Sequence, residues 1–130
     1  MLQSLYNRLL HDLKLLGIKF TFTLELKPYS KSYYGRYNPN TNKITLYVYE
    51  DKECTKLYSY NKLLDTLIHE FTHYVQYNNP KFTRFKGVMH DKNFVVLFNY
   101  YRQRIYHILF WREVRSIEKS DKIQSMAKCV

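Results

Sequence analysis

Through residues 2–16 apolar positions recur every three or four residues, at Leu2, Leu5, Leu9, Leu13 and Leu16 with Leu10 beside them. That spacing predicts an amphipathic helix, and Gly17 is a natural stop because it accepts the left-handed conformation that ends helices. From Ile18 to Leu26 the period becomes two. Ile18, Phe20, Phe22, Leu24 and Leu26 alternate with Lys19, Thr21, Thr23 and Glu25, the pattern of a strand with one wet side. Pro28 to Lys31 is a break, and a second strand is expected through Tyr33–Tyr37. Asn38-Pro39-Asn40-Thr41-Asn42 then turns the chain into a third, Ile44–Tyr49. The short turn predicts an antiparallel hairpin for these two.

Helical spacing returns at about Asn61–Tyr77, where Leu64, Ile68, Phe71 and Val75 form a face that Leu63 and Leu67 widen. A linker closed by Pro80 and Gly87 leads to Asp91, which can cap a long third helix. Phe94, Leu97, Phe98, Tyr101, Ile105, Ile108 and Leu109 share its apolar stripe. From about Glu113 the pattern turns polar, so residues 113–130 are expected as a short helix or a tail. Helix, strands, helix, helix is an α+β order with a small, mostly antiparallel sheet of about three strands, in one domain over residues 1–130.

Charge changes the picture. Twenty-one Lys and Arg against eleven Asp and Glu give +10, which attracts polyanions such as nucleic acid and also serves solubility. No run approaches the ~20 apolar residues of a membrane span. Arg8, His11, Asp12 and Lys14 interrupt the first leucines, unlike a signal peptide, so a cytoplasmic, non-secreted protein is expected. Cys54 and Cys129 form no CxxC, which excludes a zinc finger and argues against a disulfide framework.

The candidate chemistry lies in the second helix, in His69-Glu70-Phe71-Thr72-His73. Histidines four apart leave one side of a helix one turn apart and can hold one zinc ion. They lie opposite the Leu64, Ile68, Phe71, Val75 face, so the core anchors the helix while the imidazoles face a cleft. Glu70, off to one side, is placed as general base toward water activated by the metal. A catalytic zinc needs a third protein ligand and an open position. His11 and His107 read as solvated surface residues. His90, at the mouth of the third helix, is favoured over Glu113 or Glu118, which lie at that helix's far end.

With His90-Asp91-Lys92-Asn93-Phe94 following the HExxH run, residues 33 to 98 resemble the SprT-like metallopeptidase family. The resemblance implies a minimal zincin-like fold, zinc on His69, His73 and His90, catalysis by Glu70, and Phe94 as the aromatic that packs the following helix. The Gly35-Arg36-Tyr37 segment and the strand Ile44–Tyr49 are similar to the family's sheet. It also implies a protein substrate bound or crosslinked to DNA. No cysteine-rich ribbon follows, so DNA affinity is expected from the domain itself.

Two acid-free stretches could supply it. Lys27, Lys31, Arg36 and Lys43 interleave with Tyr29, Tyr33, Tyr34 and Tyr37, and Lys81, Arg84 and Lys86 with Phe82 and Phe85. Cations that hold phosphates beside rings that stack on bases suit single-stranded or non-specific DNA. The same residues equally describe a sheet with a basic wet face. The chain therefore reads first as a zinc metallopeptidase, with Ile44–Tyr49 offering its edge to an extended substrate. A regulatory peptidase with one partner, and a basic nucleic-acid-binding protein with a structural or vestigial zinc, are the alternatives. No tyrosine, Tyr100 and Tyr101 included, is singled out as oxyanion stabiliser.

Overall fold

The computed structural model describes residues 2–79 and 90–128, with side chains through residue 119. Helix α1 spans Leu2–Leu13 and tightens into a 3-10 turn over Lys14–Leu16, which Gly17 ends at φ 71° with its N–H on the Lys14 carbonyl. Strands β1 (Thr23–Lys27), β2 (Gly35–Asn38) and β3 (Lys43–Tyr47) follow, then helices α2 (Tyr60–Asn78) and α3 (Lys92–Lys128). The fold is α+β, with three α-helices and a three-stranded sheet among the described residues.

The sheet is mixed rather than mostly antiparallel. Its order is β1-β3-β2; β2 and β3 form the expected antiparallel hairpin, while β1 runs parallel to β3. Between β1 and β2 the chain passes around the end of β3: Val48 N–H bonds the Lys27 carbonyl, Tyr49 N–H the Pro28 carbonyl and Tyr47 N–H the Tyr34 carbonyl. Alternation fixes which side chains share a face but not which strand pairs with which. One consequence corrects the expected substrate edge. The strand expected to offer it, Ile44–Tyr49, is central and paired on both sides, and β2 is the edge beside α2.

The predicted first strand also begins late. Thr21 N–H bonds the Tyr74 hydroxyl instead of a ladder partner. Phe20 and Phe22 stack at 4.6 Å and pack edge-on against Phe71, so rings rather than a ladder hold residues 20–22.

Leu24, Ile44 and Leu46 point from the sheet into the core, where they meet Leu9 and Leu13 of α1, Leu64, Leu67, Ile68 and Phe71 of α2, and Tyr101 and Ile105 of α3. Gly35 lets β2 lie this close to α2. A Cβ there would stand 2.8 Å from Thr66 Cγ2, 3.0 Å from Leu46 Cδ2 and 3.1 Å from the Thr45 carbonyl. Gly35→Ala should therefore destabilise the fold by about 1–3 kcal/mol, the usual cost of overpacking. Denaturant titration checks this; unchanged stability would mean that β2 has room to move.

Helix α3 does not stop near Glu113. Its 37 residues run on as one helix of roughly 55 Å, so residues 113–128 are neither a separate helix nor a tail. After Gly87 the sequence contains neither glycine nor proline, so a change to polar composition meets no residue that would break the helix. No described helix is long and apolar enough to cross a membrane.

Candidate metal centre

Helix α2 is fixed before its histidines are placed. Ser59 caps its start by accepting from Lys62 N–H, and its apolar face is buried throughout. At its end Asn78 donates from Nδ2 to the Tyr37 hydroxyl of β2 at 3.1 Å. His69 and His73 leave the partly exposed side of this helix, opposite the core, as their spacing predicts.

His90 reaches them because the start of α3 is tied to α2. The Asp91 carboxylate, 4 % exposed, accepts from Phe94 N–H at 2.8 Å as the expected cap. The same oxygen accepts from Gln76 Nε2 at 3.2 Å. Phe94 lies under all three imidazoles, with ring centroids 4.9 Å from His69, 4.5 Å from His73 and 4.7 Å from His90.

The three Nε2 atoms converge: His90 Nε2 lies 3.1 Å from His73 Nε2 and 3.0 Å from His69 Nε2. A ring nitrogen has either one proton or one lone pair in its plane, so His90 Nε2 can make only one of these contacts a hydrogen bond. The cluster does not satisfy itself, whereas a cation at its centre uses all three lone pairs. Ligands on a tetrahedral zinc at about 2.0–2.1 Å lie roughly 3.3 Å apart, close to what is seen. The donor set therefore fits a metal ion, and His69, His73 and His90 could hold one.

Burial, with smaller contributions from His90 and Lys62, holds His69 down at about 4, so its imidazole is neutral at pH 7, the form that can bind a metal ion. Burial pushes the Glu70 carboxyl up to about 7, only partly offset by the Tyr37 N–H that Glu70 Oε1 accepts at 3.1 Å. A folded-state value above the unfolded one favours the fold below about 4.5 and costs stability as pH rises through 7. In the metal-free chain Glu70→Gln should therefore melt above wild type at pH 8, by roughly 3 kcal/mol at most, and the gap should close near pH 4.5. A constant gap across that range would place the cause outside Glu70.

The other histidines lie apart: His11 bonds the neighbouring Asp12, and His107 packs against Trp111. Glu113 sits nineteen residues beyond Phe94 on α3, roughly 28 Å along the axis, and Glu118 further still. Tyr101 is buried against Phe71 and Tyr100 projects into solvent; neither lines the cleft beside His69.

The expected nucleic-acid residues do not gather at the histidines. Lys27, Arg36 and Lys43 share the outer face of the sheet, opposite Leu24, Ile44 and Leu46, and Lys43 is paired with Glu25 at 2.9 Å. Lys31 is exposed in the β1–β2 loop. Lys81, Arg84 and Lys86 lie outside the described residues.

Sequence reasoning missed Gln76 and Lys62. Both lie seven residues from His69, one on each side, so two helical turns put them on the histidine face. Gln76→Leu removes a donor to Asp91, the residue after His90, and should weaken zinc binding by about tenfold, the low end for loss of an outer-shell partner. Competition with a chelator reads this, and unchanged affinity would show that Asp91 holds His90 without Gln76.

Compared with family models, with curated proteins and with solved structures, the chain matches none.

Proposed function

We propose that this chain is a zinc-dependent metallopeptidase of SprT-like type on a minimal zincin-like fold. The observation that carries the reading is the convergence of three histidine Nε2 atoms beside a buried carboxyl at an open cleft. His69, His73 and His90 would hold the zinc ion, which when bound would supply Lewis acidity toward a scissile carbonyl and toward water.

The chain's own groups do the rest. Tyr37 N–H occupies Glu70 Oε1, which leaves Oε2 to take a proton from the attacking water and return it to the departing amine. Gly35 belongs to a non-hydrogen-bonded pair of the β2–β3 ladder, next to the bonded Tyr34–Tyr47 pair, so its N–H and carbonyl point away from β3. An extended substrate can pair with these groups, since Gly35 lines the cleft.

The charge of +10, with exposed Lys27, Lys31 and Arg36, favours proteins held on DNA as substrates. A basic nucleic-acid-binding protein with a structural metal is the second reading, and it gives a general base beside the ligands nothing to do. The test is cleavage of an unstructured protein by the zinc-loaded chain, with and without single-stranded DNA. Cleavage that chelation stops and zinc restores supports the peptidase; stimulation by DNA supports the substrate class. DNA binding without any cleavage would favour the second reading.

A further inference from the structure

The cleft beside His69 has a wall that hydrolysis itself does not use. It holds about 510 Å³, with Tyr33, Tyr34 and Phe98 as aromatic sides and Lys62 and Arg102 as cations. The two cations are not equivalent. Arg102 donates to Asp65 through Nε at 2.9 Å and Nη2 at 3.4 Å, so its charge is met locally. Asp65 also accepts from the Tyr106 hydroxyl at 2.9 Å. Lys62 has no ion pair among the described residues, and its Nζ stands 3.9 Å from the centroid of the Tyr34 ring. The remaining carboxyl of the lining, Glu70, is buried, with Oε1 on the Tyr37 N–H. Among the described residues the cleft thus presents one positive charge without an ion pair, between aromatic walls.

Lys62 precedes His69 by two helical turns, about 10.5 Å along the axis of α2. An extended peptide advances about 3.3 Å per residue, so a side chain two or three residues from a bond cleaved at the histidines reaches Lys62. Resting on the peptidase reading, we propose that this cleft is a specificity subsite for an acidic side chain, Asp or Glu, two or three residues from the scissile bond, recognised by Lys62. A basic side chain there meets a like charge, and a neutral one gains no ion pair. A peptide is favoured over a nucleic-acid strand because the free backbone groups of Gly35 line the same cleft.

The test uses the zinc-loaded full chain and peptides with one neutral core, scanning Glu, Gln and Lys through three positions on each side of the scissile bond. At the best position Glu should exceed Gln about tenfold in kcat/KM, a preference that shrinks as salt rises. Lys62→Gln should bring that ratio toward one, Lys62→Arg should keep it, and Lys62→Glu should turn it toward Lys. Equal cleavage of the three peptides, or a preference intact in Lys62→Gln, overturns the subsite.

Fluorescence anisotropy of labelled Glu and Gln peptides reads binding independently of hydrolysis. Charge-selective binding without cleavage keeps the subsite and overturns the peptidase. Cleavage without charge selectivity does the reverse, and neither binding nor cleavage overturns both. Displacement of the Glu peptide by single-stranded DNA in a Lys62-dependent way would make this a phosphate site and overturn the proposal.

Discussion

Glu70→Gln should leave one zinc per chain and lower peptide hydrolysis at least ~10²-fold, the usual worth of a positioned general base. The substitution is nearly isosteric, and a glutamine oxygen can still accept the Tyr37 N–H that holds Oε1. Burial of the side chain, 7 % exposed, is no obstacle, because an amide avoids the desolvation cost that raises the carboxyl to about 7. What disappears is the proton-exchanging oxygen. A loss confined to kcat, with zinc content intact and no loss of thermal stability, is the signature of a lost base. Hydrolysis at the wild-type rate would remove Glu70 from the chemistry.

His90→Ala should weaken zinc on the order of 10²-fold or more, whereas Glu113→Gln and Glu118→Gln should change nothing. Binding free energies of about 10–16 kcal/mol at structural zinc sites, shared over four ligands, imply several kcal/mol for each. Among the described residues, only His90 brings a third imidazole nitrogen to the pair on α2, at 3.0 and 3.1 Å. The two glutamates lie far along α3, beyond any side chain's reach. Chelator competition on the four proteins reads the difference. Zinc retained in His90→Ala and lost in either glutamate variant would move the third ligand to α3 and remove most of the SprT-like resemblance.

Much of this site is legible in the sequence because helical periodicity is a local property. The residues that make α2 amphipathic also fix where His69 and His73 point, and Asp91 three residues before Phe94 announces both the cap and the place of His90. The leucines of α1 and the left-handed stop at Gly17 are legible for the same reason. What escapes is set by tertiary pairing. Nothing in the alternation of residues 18–26 tells that β1 joins β3 in parallel, nor that rings hold residues 20–22 where a ladder is expected. The edge strand follows from that order, β1-β3-β2, which local alternation does not reveal. The polar residues after Glu113 look like an ending only if polarity is taken for a helix stop. Lys62 and Gln76 were readable as members of the histidine face, but their roles depend on Tyr34 and Asp91, which only the fold brings near.

The central claim is that His69, His73 and His90 together hold one zinc ion. X-ray absorption at the zinc edge, on the full chain loaded with one equivalent, tests it most directly. Three imidazole nitrogens at about 2.0–2.1 Å, falling to two in His90→Ala, are the result expected of this centre. A spectrum with sulfur ligands, or one unchanged by removing His90, would contradict it.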